Sequence, residues 1–382
     1  MVAVERALPN EEAVALFELV QELCEKELKP RAAQYEAEER FPREVFRTLG
    51  QAGLLSLPYE EKYGGGGQPY EVYLQVVEEL ARNWLTVGLG VSVHSLACYG
   101  LARFGSEEQK ETWLPGMLGG DQLGAYCLSE PQSGSDAAAL TTRAVRDGDA
   151  YTVRGTKAWI THSGHADFYT LMVRTADDGA KGISALLAAA GTPGMSFGKP
   201  ENKMGLRGSV TAQVLLDGAR VPAERLIGIE GQGFSIALSA LEAGRLGIAA
   251  CAVGLAQAAL DAAVEYAKNR EQFGKPIVDF QGVAFLLADM ATGVATGRAA
   301  YLAAARRRDA GLPYGTAAAI AKLHCTDMAM RVTTDAVQVL GGYGYTTDFP
   351  VERYMREAKV LQIVEGTNQV QRLVISRALT RA

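Results

Sequence analysis

Between residue 121 and about residue 230 the chain carries short β-branched and aromatic runs with no helical period between them, and on both sides it turns to long helical patterns. That change of texture, made twice, limits the architecture more than any single motif. The runs 151–153, 158–161, 168–173, 183–187 and 210–216 are separated by turn sequences such as Asp147-Gly148-Asp149 and Asp177-Asp178-Gly179. Strands that follow one another without crossover helices predict an antiparallel sheet or barrel, not βαβ units. A nicotinamide Rossmann domain is disfavoured for the same reason, and no strand–GxGxxG–helix pattern is found.

The flanks define the rest of an α+β, mainly α, organisation: helical over 1–120, β over 121–231 and helical again over 232–382. Asn10 is placed to cap a helix whose apolar face holds Ala13, Leu16, Phe17, Val20 and Leu23, at spacings of 3 and 4. Pro42 opens another helix. The run Gly64-Gly65-Gly66-Gly67 interrupts the pattern before helices resume near Pro69. No Lys-Ser/Thr follows it, so it reads as a flexible connector and not a phosphate loop. In the C-terminal third, 234–270, 281–309 and 314–340 are long and Ala-rich, with short breaks at 274–276 and 311–313. Long helices joined by short loops predict an antiparallel bundle. Small residues such as Gly247, Ala249, Ala250, Gly254 and Ala258 allow close helix contact, including contact with further copies of the chain.

The 382 residues are 48% hydrophobic and 21% charged, enough for cores that need no staples. A net charge of −6 offers no basic field for nucleic acid, though a few local Arg and Lys residues suffice for one polyanionic ligand. Five widely spaced cysteines form no CxxC pair and read as buried thiols; with four histidines a metal centre is not expected. The charged first ten residues do not resemble a signal peptide. The longest apolar stretch, 246–260, is shorter than the roughly 20 residues of a membrane span. A cytoplasmic protein without stable membrane association is the expectation.

Three stretches carry candidate chemistry. Glu365 follows Ile363-Val364 and precedes Gly366-Thr367. A carboxylate in an apolar setting is a stronger proton acceptor, because desolvation disfavours its charged form. The competing account is a helix boundary, with Gly366 as C-cap and Thr367 as N-cap. The loop Tyr126-Cys127-Leu128-Ser129-Glu130-Pro131-Gln132-Ser133-Gly134-Ser135-Asp136 ends a strand in hydroxyls and open backbone amides. It is suited to a flat heteroaromatic ring and a phosphate, or is simply a turn. Trp159-Ile160-Thr161 sets an indole and a hydroxyl on one strand face. Glu242 and Arg245, three apart on one helix face, are either a surface ion pair or the lining of a slot for a nucleotide-bearing substrate. Arg270 and Gln281 flank a helix break, and Gln338-Val339-Leu340-Gly341-Gly342 closes a helix with amides free for a pyrophosphate.

As a set, 126–136, 158–161, 338–344 and 365–371 resemble the acyl-CoA dehydrogenase family, and the resemblance runs from about residue 10 to 380. It implies a helical N-terminal domain, a middle antiparallel β-barrel-like domain and a C-terminal four-helix bundle, with FAD at their junction. Tyr126, Leu128, Ser129, Gly134, Ser135, Trp159, Ile160 and Thr161 would hold the isoalloxazine. Gln338, Val339, Leu340, Gly341, Gly342, Thr367, Asn368 and Gln369 would hold the rest of FAD. Arg270, Phe273 and Gln281 would serve that cofactor too, with Arg270 and Gln281 reaching the FAD of a neighbouring subunit. Ser135, Glu242, Arg245 and Gly366 would line the acyl-CoA channel. The resemblance has small departures: Ser129 stands where Thr is frequent, His162 where Asn is common, and Glu242 where Asp is frequent.

What the resemblance implies chemically is α,β-dehydrogenation of an acyl-CoA. Glu365 would take the α-proton, the β-hydride would pass to flavin, and an electron-transfer flavoprotein would be the acceptor. It also implies a homo-oligomer, a tetramer by family expectation. In some members the base stands on the long helix beside the arginine matching Arg245; here that neighbour is Gly244. The segments 241–248 and 205–209 are similar to short-chain and short-branched-chain members, so C4 to C6 acyl groups are expected. Two alternatives stand beside this reading: an oxygen-using acyl-CoA oxidase, which tends to carry a further C-terminal domain, and a non-catalytic CoA-binding or scaffold member.

Overall fold

A computed structural model describes residues 5–380. In the N-terminal region α1 (Glu11–Leu23) begins where Asn10 Oδ1 accepts the Ala13 N–H at 2.8 Å, and it buries Ala13, Phe17 and Val20. A π-turn over Cys24–Leu28 leads into α2 (Lys29–Ala37), and Pro42 opens α3 (Arg43–Gln51). The glycine run is not a flexible connector. The N–H groups of Gly65, Gly66 and Gly67 donate to the carbonyls of Glu60, Ser56 and Tyr59. A β-carbon on Gly65 would lie 2.2 Å from Tyr59 O, so the glycines permit a tight, internally bonded loop. Beyond it stand α4 (Tyr70–Asn83), α5 (Leu85–Phe104) and α6 (Glu107–Leu118), the last started by a Ser106/Gln109 capping box.

The middle sheet contains β1 (Gly124–Cys127), β2 (Arg143–Asp147), β3 (Ala150–Thr161), β4 (Phe168–Arg174), β5 (Ile183–Ala189), β6 (Met195–Phe197), β7 (Thr211–Pro222) and β8 (Leu226–Ile227). Its order is β6-β7-β3-β2-β4-β5-β8, with β1 also on β4. Most pairs are antiparallel, as expected, but β4 runs parallel to both β1 and β2. The correction has a simple cause. The chain crosses from β1 to β4 through the β2–β3 hairpin, so a parallel pair arises without a crossover helix. The runs 151–153 and 158–161 belong to one strand, β3, whose register on β7 shifts between Lys157 and Ile160.

In the C-terminal region α7 (Gly233–Asn269) is followed by the small hairpin β9 (Glu271–Gln272) and β10 (Lys275–Pro276), then α8 (Gln281–Asp309) and α9 (Gly315–Leu340). Helix α10 (Val351–Leu361) packs on α7 and α9, and α11 (Asn368–Thr380) packs on α9. The small residues of α7 face inward. A β-carbon on Gly254 would lie 2.2 Å from Glu78 O of α4, and one on Gly247 would lie 2.1 Å from Ser92 Oγ of α5. That face is therefore spent on packing within the chain, not on further copies. Glu78 strengthens the same junction by accepting from Arg298 of α8 at 2.8 Å and from Tyr301.

Two helices, α5 and α7, are long and apolar enough to cross a membrane by length and composition, contrary to the length argument drawn from the sequence. In both, 83% of the apolar window is buried inside the fold, which accounts for its hydropathy. All five cysteines are buried and free.

Candidate active site

After α10 ends, the chain turns through Glu365 (φ 53°) and Gly366 (φ 88°) before α11 starts. Thr367 Oγ1 accepts the Val370 N–H at 3.3 Å, so Thr367 caps α11 as expected, whereas α10 ends at Leu361 with Gln362, not Gly366, as its C-cap. Two successive left-handed residues, the first of them not glycine, swing the Glu365 side chain inward. Both carboxylate oxygens are buried and accept no hydrogen bond. They face the bare α-carbon of Gly244 on α7, where a β-carbon would lie 2.0 Å from Oε2. Burial raises the Glu365 pKa to about 7, against the pull of the Lys322 and Arg245 cations.

Lys322 of α9 was not anticipated. Its Nζ donates to Gly366 O and to Asn368 Oδ1, both at 2.9 Å. Gln371 Nε2 also donates to Gly366 O, at 2.8 Å. The signal was in the sequence: Lys322 falls on the buried stripe of α9 between Ala318 and Cys325, where a lysine needs a partner. The Asn368 side chain is engaged within the fold: its amide donates to Thr326 Oγ1 and Asp327 Oδ1, and its oxygen receives Lys322. Thr367 is half-buried and Gln369 exposed beside it.

Arg245 and Glu242 are not a surface ion pair. Arg245 is 6% exposed, its Nε has no partner, and no ion pair joins the two among the described residues. Burial lowers the Arg245 pKa, with Glu242 and Glu365 acting in the opposite sense. Glu242 points at the start of α9, its Oε1 lying 2.6 Å from where a β-carbon on Gly315 would stand. Near Glu365 are Tyr126 of β1, Tyr73 of α4 and Cys251 of α7; burial raises the pKa of each, and the Glu365 charge adds to it.

The loop after β1 is held by a buried ion pair. Lys157 Nζ reaches Glu130 Oε1 at 2.8 Å and Leu128 O at 3.2 Å. Glu130 accepts the backbone N–H groups of Thr141 and Thr142 besides, and its pKa falls to about 2. The Ala158 N–H donates to Ser129 O, which joins the 126–135 and 158–161 stretches at their backbones. Leu128 and Ile160 are buried, while Gly134 and Ser135 are exposed. Trp159 is no core residue: the register shift in β3 and a φ of 62° turn it out, leaving it 63% exposed, with Thr161 half-buried two residues on.

A separate cavity of about 530 Å³ is lined by Arg270, Gln272, Val339, Leu340, Gly341 and Gly342, among others, and by none of Tyr126, Trp159 or Thr161. Arg270 also lies 5.9 Å from the Tyr343 ring. Phe273 beside it is 93% exposed at φ 53°. Gln338 is exposed at the end of α9 and Gln281 at the start of α8.

Models of the N-terminal, middle and C-terminal domains of acyl-CoA dehydrogenases match residues 10–121, 125–219 and 231–380. The chain belongs to the acyl-CoA dehydrogenase family. It is 44% identical to the short-chain specific acyl-CoA dehydrogenase of Clostridium acetobutylicum, over 95% of this chain and 97% of that one. Butyryl-CoA dehydrogenase from Megasphaera elsdenii superposes with a TM-score of 0.96 at 41% identity, covering 98% of this chain and all of the other. A solved chain reported under the heading of the electron transferring flavoprotein of Acidaminococcus fermentans gives 0.96 at 43% identity, covering 99% and 100%.

Acyl-CoA dehydrogenases are flavoproteins, and the residues present fit such a group. Trp159 is turned out beside Thr161. β-Carbons built on Gly134, Gly341 and Gly342 would meet no atom within 4 Å, so the backbone there is open to close approach by a ligand. Val339–Gly342 and Arg270 line a single cavity.

Proposed function

We propose that this acyl-CoA dehydrogenase binds FAD and converts a short acyl-CoA to its trans-2-enoyl-CoA, with Glu365 as the base. The observation that carries the reading is the buried Glu365 carboxylate, free of hydrogen-bond partners and raised to about 7, so that it is poised to take a proton near neutral pH. When bound, FAD supplies the acceptor for the β-hydride. The chain's residues do the rest. The Glu365 N–H has no acceptor among the described residues, which leaves it to polarise the thioester carbonyl. Arg245 and Glu242 face the CoA moiety, and the apolar walls exclude water. Trp159, Thr161, Ser129 and Ser135 position the ring system, while Arg270, Gln281 and Val339–Gly342 act together on a neighbouring subunit's FAD.

The names of the short-chain specific and butyryl-CoA relatives support a short acyl group, and the electron transferring flavoprotein named for a structural neighbour points to that class of acceptor. Glu365→Gln should keep flavin and lose at least about 10²–10⁴-fold in turnover. Comparable turnover would remove the base assignment. Across a panel of acyl-CoAs, kcat/KM should peak at C4 to C6; a steady climb to palmitoyl-CoA would reject the short-chain reading while leaving the dehydrogenase intact.

A further inference from the structure

We infer that Lys322 is a positioning residue for the base: its buried ammonium fixes the Glu365–Gly366 turn and is the cation against which the Glu365 charge is balanced. This rests on Glu365 being the base, as proposed above.

The geometry makes Lys322 unusual. It is fully buried, and it spends two of its three N–H donors on Gly366 O and Asn368 Oδ1, both at 2.9 Å. Neither acceptor carries a charge. Among the described residues no carboxylate lies within ion-pair distance of it. The nearest acid along its own helix, Asp327, is engaged by Arg372 at 3.0 Å and by the Asn368 amide at 2.7 Å. The remaining negative group is Glu365, whose oxygens accept nothing. A buried ammonium without a counter-charge is costly, and so is a buried carboxylate; placing them near one another offsets both.

The other groups around Glu365 cannot take this part. From α4 and β1 come the phenols of Tyr73 and Tyr126, and from α7 the Cys251 thiol, all pushed up and neutral. Arg245 of α7 contributes positive charge but, among the described residues, makes no hydrogen bond to the 365–366 backbone. Among the described residues, Lys322 alone combines charge with a direct hold on the turn. Burial brings its own pKa down to about 8, which still leaves it charged at neutral pH. When Glu365 takes up a proton, Lys322 loses the charge that faces it, which opposes over-tight retention of that proton.

The test compares Lys322→Gln, Lys322→Met and Lys322→Arg in the flavin-loaded enzyme. Gln keeps a donor without charge, Met keeps neither, and Arg keeps charge. Removing a nearby cation favours the protonated carboxyl, so the acid limb of kcat/KM should move up by about 1 pH unit or more for Gln and Met. It should stay in place for Arg. Infrared titration of the Glu365 carboxyl, read as the difference from Glu365→Gln, should show the same shift without relying on turnover. Flavin absorbance and circular dichroism report whether each variant is folded, and if Met fails to fold, the Gln and Arg pair decides. A Lys322→Gln limb and titration that superimpose on the parent overturn the proposal. If Glu365→Gln itself stays active, it is the base assignment that falls. An inactive Glu365→Gln with an unmoved Lys322→Gln limb removes Lys322 alone.

Discussion

The Glu365 carboxylate occupies the space that a side chain at Gly244 would need: a β-carbon there would stand 2.0 Å from Oε2. The bare α-carbon of Gly244 thus leaves room for the Glu365 carboxylate. Gly244→Ala should therefore displace the carboxylate. A misplacement of about 1 Å costs on the order of 10²-fold in rate, with flavin binding retained. Steady-state kinetics on the yellow, folded variant check this; unaltered kcat would show that the turn at 365–366 yields more easily than its hydrogen bonds imply.

Glu365 should also set a pH dependence in opposite senses for activity and for stability. Its folded pKa of about 7 lies above the ordinary 4.5. The ionised base is lost as pH falls through 7, so kcat/KM should drop on the acid side of that value. For stability the sign reverses. Its favourable contribution is full below about pH 4.5 and is lost as pH rises through 7, because burial opposes the ionised form. Glu365→Gln should thus melt at a higher temperature than the parent at pH 8, with the difference closing toward pH 4.5. Parallel melting curves at both pH values would contradict this.

The Lys157–Glu130 pair is buried on both sides and ties β3 to the loop that carries Ser129 and Ser135. Truncating one partner leaves the other charge uncompensated, a loss of about 3–5 kcal/mol. Lys157→Met should lower the denaturation midpoint accordingly and weaken flavin retention, read by urea unfolding and by absorbance after gel filtration. Glu130, lowered to about 2, gives stability that is present above pH 4.5 and lost as pH falls through 2.

Arg270 lines the cavity with Val339–Gly342, and Phe273 beside it leaves its ring 93% exposed. A neighbouring subunit that brings its FAD to Arg270, as proposed, would cover that ring. Dilution should release flavin and subunits together, and Arg270→Gln should shift both transitions to higher protein concentration. Light scattering that finds a fully flavin-loaded monomer would refute this.

Local signals decided much of the fold before any coordinates. The Asn10 cap, the helix starting at Gln281, the bundle and the strand-rich middle region follow from capping chemistry and from hydrophobic period, both properties of neighbours along the chain. Glu365 was legible for the same reason, as a carboxylate between an apolar run and a Gly-Thr turn. What the sequence alone left open depends on residues far apart. Whether Trp159 is core or exposed depends on a register shift against β7. Gly244 acquires its use only when α7 meets the turn at Glu365, about 120 residues later in the chain, and Lys322 only when α9 brings a buried ammonium to the Gly366 carbonyl. Period and propensity act within a few residues, whereas burial, charge balance and the space left by an absent side chain are set by which distant elements meet, and tertiary packing alone decides that.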